Sequence, residues 1–226
     1  MTRSNQSIFD RLKESCGDEW RAYTDHEFIR QLGQGTLPEA CFRHYLIQDY
    51  LFLIHFARAY ALAAYKADTL EDMRPAAASL SATVATEMKL HLTFCEGWGL
   101  SAADVEAAPE ANATIAYTRY VLERGMAGDL LDLHTALTPC VLGYAEIGRS
   151  LLADPQTRLE GNPYRIWIEG YGSASYQELA QDSHDYLDGL AQKRLTEARY
   201  PDLAQTFARA TRLETQFWEM GLTLAP

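Results

Sequence analysis

The sequence predicts an all-α fold, a single domain over residues 1–226 built as a bundle of seven to eight helices. Three observations predict it. Apolar residues recur at steps of three and four along most of the chain, and no stretch alternates at period two. Hydrophobic residues make up 47% of the 226 and charged residues 23%, enough to fill a sizeable core and still coat it with charge. No linker, internal repeat or low-complexity tract divides the composition into halves, so one compact bundle is the natural solution.

Helices are expected near 6–24, 38–67, 72–98, 112–126, 129–153, 163–169, 173–196 and 201–222. The strongest is 38–67, where Phe42, Tyr45, Leu46, Asp49, Phe52, Leu53 and Phe56 form one broad face, aromatic and apolar except for Asp49. Thr36-Leu37-Pro38-Glu39 offers it a cap, a proline in the first turn and an early acid. Gly97 and Gly99 stop the third helix, and Ser101 caps the segment after them. Gly125 and Gly128 with Asp129 separate the fourth from the fifth, and the stretch from Asp154-Pro155 to Gly161-Asn162-Pro163 reads as a loop.

With 31 acidic and 20 basic residues, the net charge of −11 disfavours nucleic acid and anionic membranes as partners. The densest basic stretch, Arg194 to Arg212, is interleaved with Glu197 and Asp202 and reads as a solvated helix face. Met1 to Arg11 lacks the apolar core of a signal peptide, and no uncharged run reaches the roughly 18 residues that span a bilayer. A cytoplasmic protein is expected. Cys16, Cys41, Cys95 and Cys140 lie far apart with no CxxC pair, so each is a buried small residue or a reactive thiol.

Polar residues on core faces are the informative ones. Asp49 interrupts an aromatic stripe; it must be paired, protonated or facing a polar cavity, and a structural role is as compatible with its position as a functional one. Cys140 follows Pro139 inside a segment otherwise suited to helix, with Tyr144 on the same face; it is either an ordinary core cysteine or a thiol beside a proline bend. Glu214 has Phe217 and Trp218 at i+3 and i+4, which makes it an inward acid of raised pKa or an exposed helix charge. Tyr117, Tyr120, Tyr164, Trp167 and Tyr171 supply stacking faces that suit a flat heteroaromatic ligand as well as they suit a core. Glu87 and His91 are four apart and lack the Glu-x-x-His spacing of dimetal bundles, so no metal is expected. Ser183-His184-Asp185 is not a triad, because adjacent helical residues point in different directions.

At these residues the chain resembles the TenA family, also called thiaminase II or aminopyrimidine aminohydrolase. The resemblance is carried by Phe28-Ile29-Arg30-Gln31-Leu32 with Gly33 and Gly35, Gln48 to Leu53, Ala116-Tyr117-Thr118, Pro139-Cys140 with Tyr144, Tyr164 to Ile168 with Tyr171, and Glu214 to Trp218. It implies a haem-oxygenase-like bundle without haem or other cofactor, assembled as a homotetramer. It implies hydrolysis of 4-amino-5-aminomethyl-2-methylpyrimidine, or of thiamin, to hydroxymethylpyrimidine in thiamin salvage. Carried over, Cys140 matches the family nucleophile and Glu214 the acid, Asp49, Tyr144 and Tyr171 match substrate-binding positions, and Tyr117 and Phe217 match aromatic walls. Many members have a tyrosine where this chain has Phe52, which lacks the hydroxyl thought to sharpen the thiol. A non-catalytic pyrimidine-binding or regulatory protein and a dimetal oxidase-like bundle are the alternatives.

Overall fold

The computed structural model describes residues 6–226, and among these every regular element is helical. Twelve α-helices are present among the described residues, more than the seven to eight expected: α1 Ile8–Ser15, α2 Gly17–Thr24, α3 Glu27–Gln34, α4 Glu39–Lys66, α5 Leu70–Ala82, α6 Met88–Gly97, α7 Ala102–Glu106, α8 Asn112–Ala127, α9 Leu130–Ala153, α10 Arg165–Gly172, α11 Ala174–Arg194 and α12 Tyr200–Thr223. A π-helical turn, Thr83–Glu87, joins α5 to α6. The first five residues of the segment read for a signal peptide lie outside the described residues. The chain forms two compact units, one of residues up to Leu37 with His134–Thr215, the other of Pro38–Leu133 with Gln216–Pro226.

In the first unit, the stretch expected as one helix over 6–24 is two, broken at Cys16, whose φ of −137° is not helical. Ser7 caps α1 by accepting from the Asp10 amide at 3.0 Å. The short α3 is an element the periodicity did not give. His26 opens it, its Nδ1 accepting from the Phe28 amide at 3.2 Å, and Gly35 closes it in the left-handed region at φ 71°. The carbonyls at its end are satisfied by a buried amide: Asn162 donates to Leu32 and Gly33 at 3.0 and 3.2 Å. Thr36 is not the cap of α4 but folds back on α3, its amide bonded to the Gln31 carbonyl at 2.9 Å; Pro38 occupies the cap position without a side-chain bond.

In the second unit, α4 packs against α5, α6, α7 and α8. Its polar residues organise those neighbours. Gln48 accepts from the Ala111 amide and the Thr114 hydroxyl at 2.8 and 2.7 Å and donates to the Pro109 carbonyl, substituting for the side-chain cap that α8 lacks. Tyr50 points off the Asp49 face, as a regular helix requires, and donates to Glu106 at 3.0 Å. The single helix expected over 72–98 is divided by the π turn. Gly99 ends α6 at φ 74°, and Ser101 with Asp104 forms a reciprocal capping box on α7. Asp129 accepts from the Leu131 amide at 2.9 Å and opens α9. Among the described residues no helix is long and apolar enough to cross a membrane.

Candidate functional site

Thiol environment separates Cys140 from the other three cysteines. Cys16, Cys41 and Cys95 are buried, while Cys140 is half-buried. Burial, with the nearby Glu19 carboxylate second, pushes the Cys16 thiol up to about 11, and burial raises Cys41 and Cys95 as well. The Cys16 and Cys41 sulfurs are further occupied by the carbonyls of Leu12 and Leu222. Those three thiols are held protonated, and of the four only Cys140 keeps a partly open environment.

Cys140 sits in α9 directly after Pro139, and the helix continues unbroken through both to Ala153. Tyr23 is wholly buried and donates to the Pro139 carbonyl at 3.2 Å. That approach depends on Gly143, where an added Cβ would lie 2.2 Å from the Tyr23 ring. One turn after Cys140, Tyr144 meets Tyr171 with ring centroids 4.8 Å apart, and Trp167 and Tyr176 extend the cluster at 4.6 and 4.9 Å from Tyr171. A second glycine brings α10 this close: a Cβ on Gly148 would strike the Tyr171 backbone at 2.4 Å. Glu214, on the part of α12 in the same unit, is 2% exposed, which excludes the surface-charge reading.

The second unit gathers Asp49, Phe52, Tyr117 and Phe217. Phe52 lies 4.9 Å from Tyr117 and 5.8 Å from Phe217 between centroids, and Tyr45 meets Phe217 edge-on at 6.0 Å. Against this aromatic wall Asp49 is buried and paired: its Oδ2 takes the Tyr45 hydroxyl at 3.0 Å and the His91 Nε2 at 2.6 Å. The other His91 nitrogen, Nδ1, lies 2.9 Å from the Glu87 carbonyl at the end of the π turn. Burial pulls the His91 pKa down, but the Asp49 hydrogen bond and charge, with the Glu87 charge and carbonyl, outweigh it and raise it above its ordinary value.

Sequence reasoning missed His91, because its partner is 42 residues away and only the packing of α6 on α4 joins them; the signal present was a histidine on an apolar helix face. It also missed Tyr45 as the donor to Asp49, although the i, i+4 spacing carries that contact. The view that His184 and Asp185 diverge is corrected: Nδ1 and Oδ1 lie 3.2 Å apart, with His184 half-buried against Phe9 and Asp185 exposed. The His184 hydrogen bond, then Gln181, holds the exposed Asp185 carboxyl below its usual range. Among the described residues no three His, Cys, Asp or Glu side chains cluster as metal ligands.

An all-helical chain with a half-buried thiol and a buried carboxylate set in aromatic rings defines a class before it defines a family. A domain from Shewanella denitrificans, described as having a heme oxygenase-like fold, superposes with a TM-score of 0.74 at 15% identity, over 98% of this chain and 94% of that one, a likeness of fold alone. Residues 15–224 match the TENA/THI-4/PQQC family, and the chain belongs to it. An uncharacterized protein of Haemophilus influenzae is 43% identical over 96% of this chain and 100% of its own length. The aminopyrimidine aminohydrolase of Halalkalibacterium halodurans is 37% identical over 93% of each. The crystal structure of a protein described as a TenA family transcription regulator, from Silicibacter sp. TM1040, superposes with a TM-score of 0.89 at 43% identity, covering 99% of this chain and 100% of that one.

Proposed function

We propose that the chain is an aminopyrimidine aminohydrolase of the thiaminase II type, acting on 4-amino-5-aminomethyl-2-methylpyrimidine and releasing ammonia and hydroxymethylpyrimidine. The observation that carries this reading is the likeness, over 93% of both chains, to an enzyme named for that activity. The half-buried Cys140, in a fold whose other thiols are closed off, supports the covalent form of the chemistry.

In this reading Cys140 is the nucleophile and Glu214 the proton donor, while Asp49, Tyr144, Tyr171, Tyr117, Phe52 and Phe217 bind the pyrimidine. Protonation of a ring nitrogen makes the ring electrophilic, and the Cys140 thiolate adds to the ring carbon next to the substituted one. The electron pair gained by the ring then expels ammonia from the methylene, with a proton from Glu214, leaving an exocyclic alkene. Water adds to that methylene and returns its proton, and departure of the thiolate restores the aromatic ring. Substrate and water become hydroxymethylpyrimidine and ammonia; nothing is oxidised. With thiamin as substrate, the thiazolium leaves in place of ammonia.

Incubation with the aminomethyl pyrimidine and with thiamin, measuring ammonia and hydroxymethylpyrimidine, tests the reading directly. Glu214→Gln is expected to lose about 10²- to 10⁴-fold, the usual range for a proton-transfer group. Cys140→Ser is expected to lose more, because a serine hydroxyl is far less ionised than a thiol at neutral pH. Equal turnover by wild type and Cys140→Ser would end the covalent mechanism. No turnover of either substrate would favour the non-catalytic alternative, a pyrimidine-binding or regulatory protein; the Silicibacter relative is described as a transcription regulator, but against contact with DNA stands the net charge of −11. We further propose one functional domain, assembled as a homotetramer in the cytoplasm, where its free thiols stay reduced; light scattering at the mass of four chains supports it, and a monomer refutes it.

A further inference from the structure

The group around His91 fixes where its protons sit. A carbonyl oxygen only accepts, so the Nδ1 that faces the Glu87 carbonyl at 2.9 Å carries a hydrogen. The remaining nitrogen, Nε2, faces Asp49 Oδ2 at 2.6 Å, and Tyr45 donates to the same oxygen at 3.0 Å. Two donors on one carboxylate oxygen favour the ionised form, and a proton on Nε2 completes an imidazolium–carboxylate pair. His91 and Asp49 are 2% and 4% exposed, so the pair is set away from bulk solvent.

Both of the hydrogen bonds to Asp49 fall on Oδ2, and Oδ1 takes none among the described residues. An ionised carboxylate has no hydrogen to give, so Oδ1 is an acceptor and nothing else. A ligand atom placed against it must be an N–H or O–H donor. An oxygen or an unprotonated ring nitrogen there would face a negative charge with no hydrogen between them.

We propose that His91, clamped by the π turn at Glu87, is a positioning residue that holds Asp49 by Oδ2 and presents Oδ1 as a one-sided acceptor, and so makes the chain select amino-substituted over oxo-substituted pyrimidines. The proposal rests on the role of Asp49 at the substrate in the hydrolase reading. The charged groups that bear on His91 are Asp49 from α4 and Glu87 from the π turn, and Tyr45 from α4 reaches it through Asp49. Without His91 the buried Asp49 loses the cation that pairs with it, and a carboxylate stripped of its cation accepts a proton more readily. A protonated Asp49 donates as well as accepts, and discrimination between an amino and an oxo edge then fades.

The test uses two unreactive probes, 4-amino-2,5-dimethylpyrimidine and its 4-oxo counterpart, with their Kd values measured calorimetrically against wild type, His91→Leu, His91→Gln and Tyr45→Phe at several pH values. Wild type is expected to prefer the amino probe by about 100-fold or more, as a site built to meet an N–H does. His91→Leu should cut that preference at least about tenfold, and its affinity for the amino probe should weaken as pH falls while that of wild type stays level. His91→Gln, which restores a neutral donor, should recover part of the preference but not the level pH profile. Should His91→Leu fail to fold, the pH profile of His91→Gln and a smaller loss of preference in Tyr45→Phe decide the matter. Preference and pH profile unchanged in the folded variants would overturn the inference while leaving the hydrolase reading intact. A selective loss in the variants, in a protein that hydrolyses no aminopyrimidine, would leave the inference standing and remove the reading it started from.

Discussion

Two histidines, one in each unit, sit in low-polarity surroundings, His91 buried and His134 half-buried, and their proton affinities move in opposite directions. His134 in the first unit packs edge-on against Tyr186 at 4.9 Å, and burial drives its pKa down to about 4. His91 in the second unit is more deeply enclosed, yet ends above its ordinary value because Asp49 and the Glu87 carbonyl both receive its N–H groups. The difference teaches that burial sets the cost of a charge and the partner sets its sign. A low-polarity pocket discharges an imidazole; the same pocket with a carboxylate in it keeps the imidazole charged.

The comparison breaks most completely at the partner. Asp49→Leu leaves His91 without its carboxylate and should cost roughly 3–5 kcal/mol, the range for removing one member of a buried ion pair. The double variant Asp49→Leu with His91→Leu should recover much of that loss, because no stranded charge remains. Chemical denaturation of wild type, both singles and the double closes the cycle; a double loss equal to the sum of the singles would show that the two groups are not coupled.

Acid sharpens the contrast from the other side. His134 has a folded value below its unfolded 6.5, so its contribution is whole above 6.5 and is lost as pH falls toward about 4. That shift corresponds to about 3 kcal/mol across the interval. His91 has a folded value above 6.5, so its contribution is whole below 6.5 and fades as pH rises through the lifted value. Unfolding free energies measured down to pH 4 should therefore fall more steeply for wild type than for His134→Leu. Above pH 6.5 wild type should fall more steeply than His91→Leu. Parallel curves on either limb would remove the corresponding argument.

Packing supplies the next smaller effect. Gly143→Ala puts a methyl where the Tyr23 ring already stands, and should cost about 1–3 kcal/mol as an overpacked core does. It should also loosen the Tyr23 bond to Pro139, next to the thiol. A variant as stable as wild type would show that the ring gives way freely.

These features divide cleanly by what a single sequence can carry. Helices α4, α8, α9, α11 and α12 were legible because long amphipathic faces repeat at the helical period, and Gly99 after α6, Ser101 before α7 and Asp129 before α9 mark boundaries by local chemistry. The short α3 was not, since eight residues hold barely two turns of pattern and its end is satisfied by Asn162, more than a hundred residues on. The π turn left no trace in the periodicity, because one extra residue per turn over Thr83–Glu87 merely shifts phase. At the candidate site Asp49 and Glu214 stood out as acids on core faces, a local property. The His91 pairing did not, because it exists only once α6 has packed on α4.

Phe52 gives the smallest expected effect. Its ring is 4% exposed and touches Phe56, Tyr117 and Phe217 at 5.4, 4.9 and 5.8 Å between centroids, a well-packed position at which an added hydroxyl must find a partner or go without. If the proposed chemistry uses a hydroxyl here in other members of the family, Phe52→Tyr should raise turnover with Cys140 intact and leave Cys140→Ser unchanged. The stability cost should be about 1 kcal/mol or less if the hydroxyl is bonded and about 1–3 kcal/mol if it is not. Turnover of Phe52→Tyr set against that of wild type, together with denaturant midpoints, reads both quantities. A faster variant of unaltered stability would mean that a hydrogen-bond acceptor already waits near the Phe52 ring. A slower, less stable one would mean that this chain activates its thiol by another group, and that the aromatic wall around Asp49 is packed for a ring without a hydroxyl.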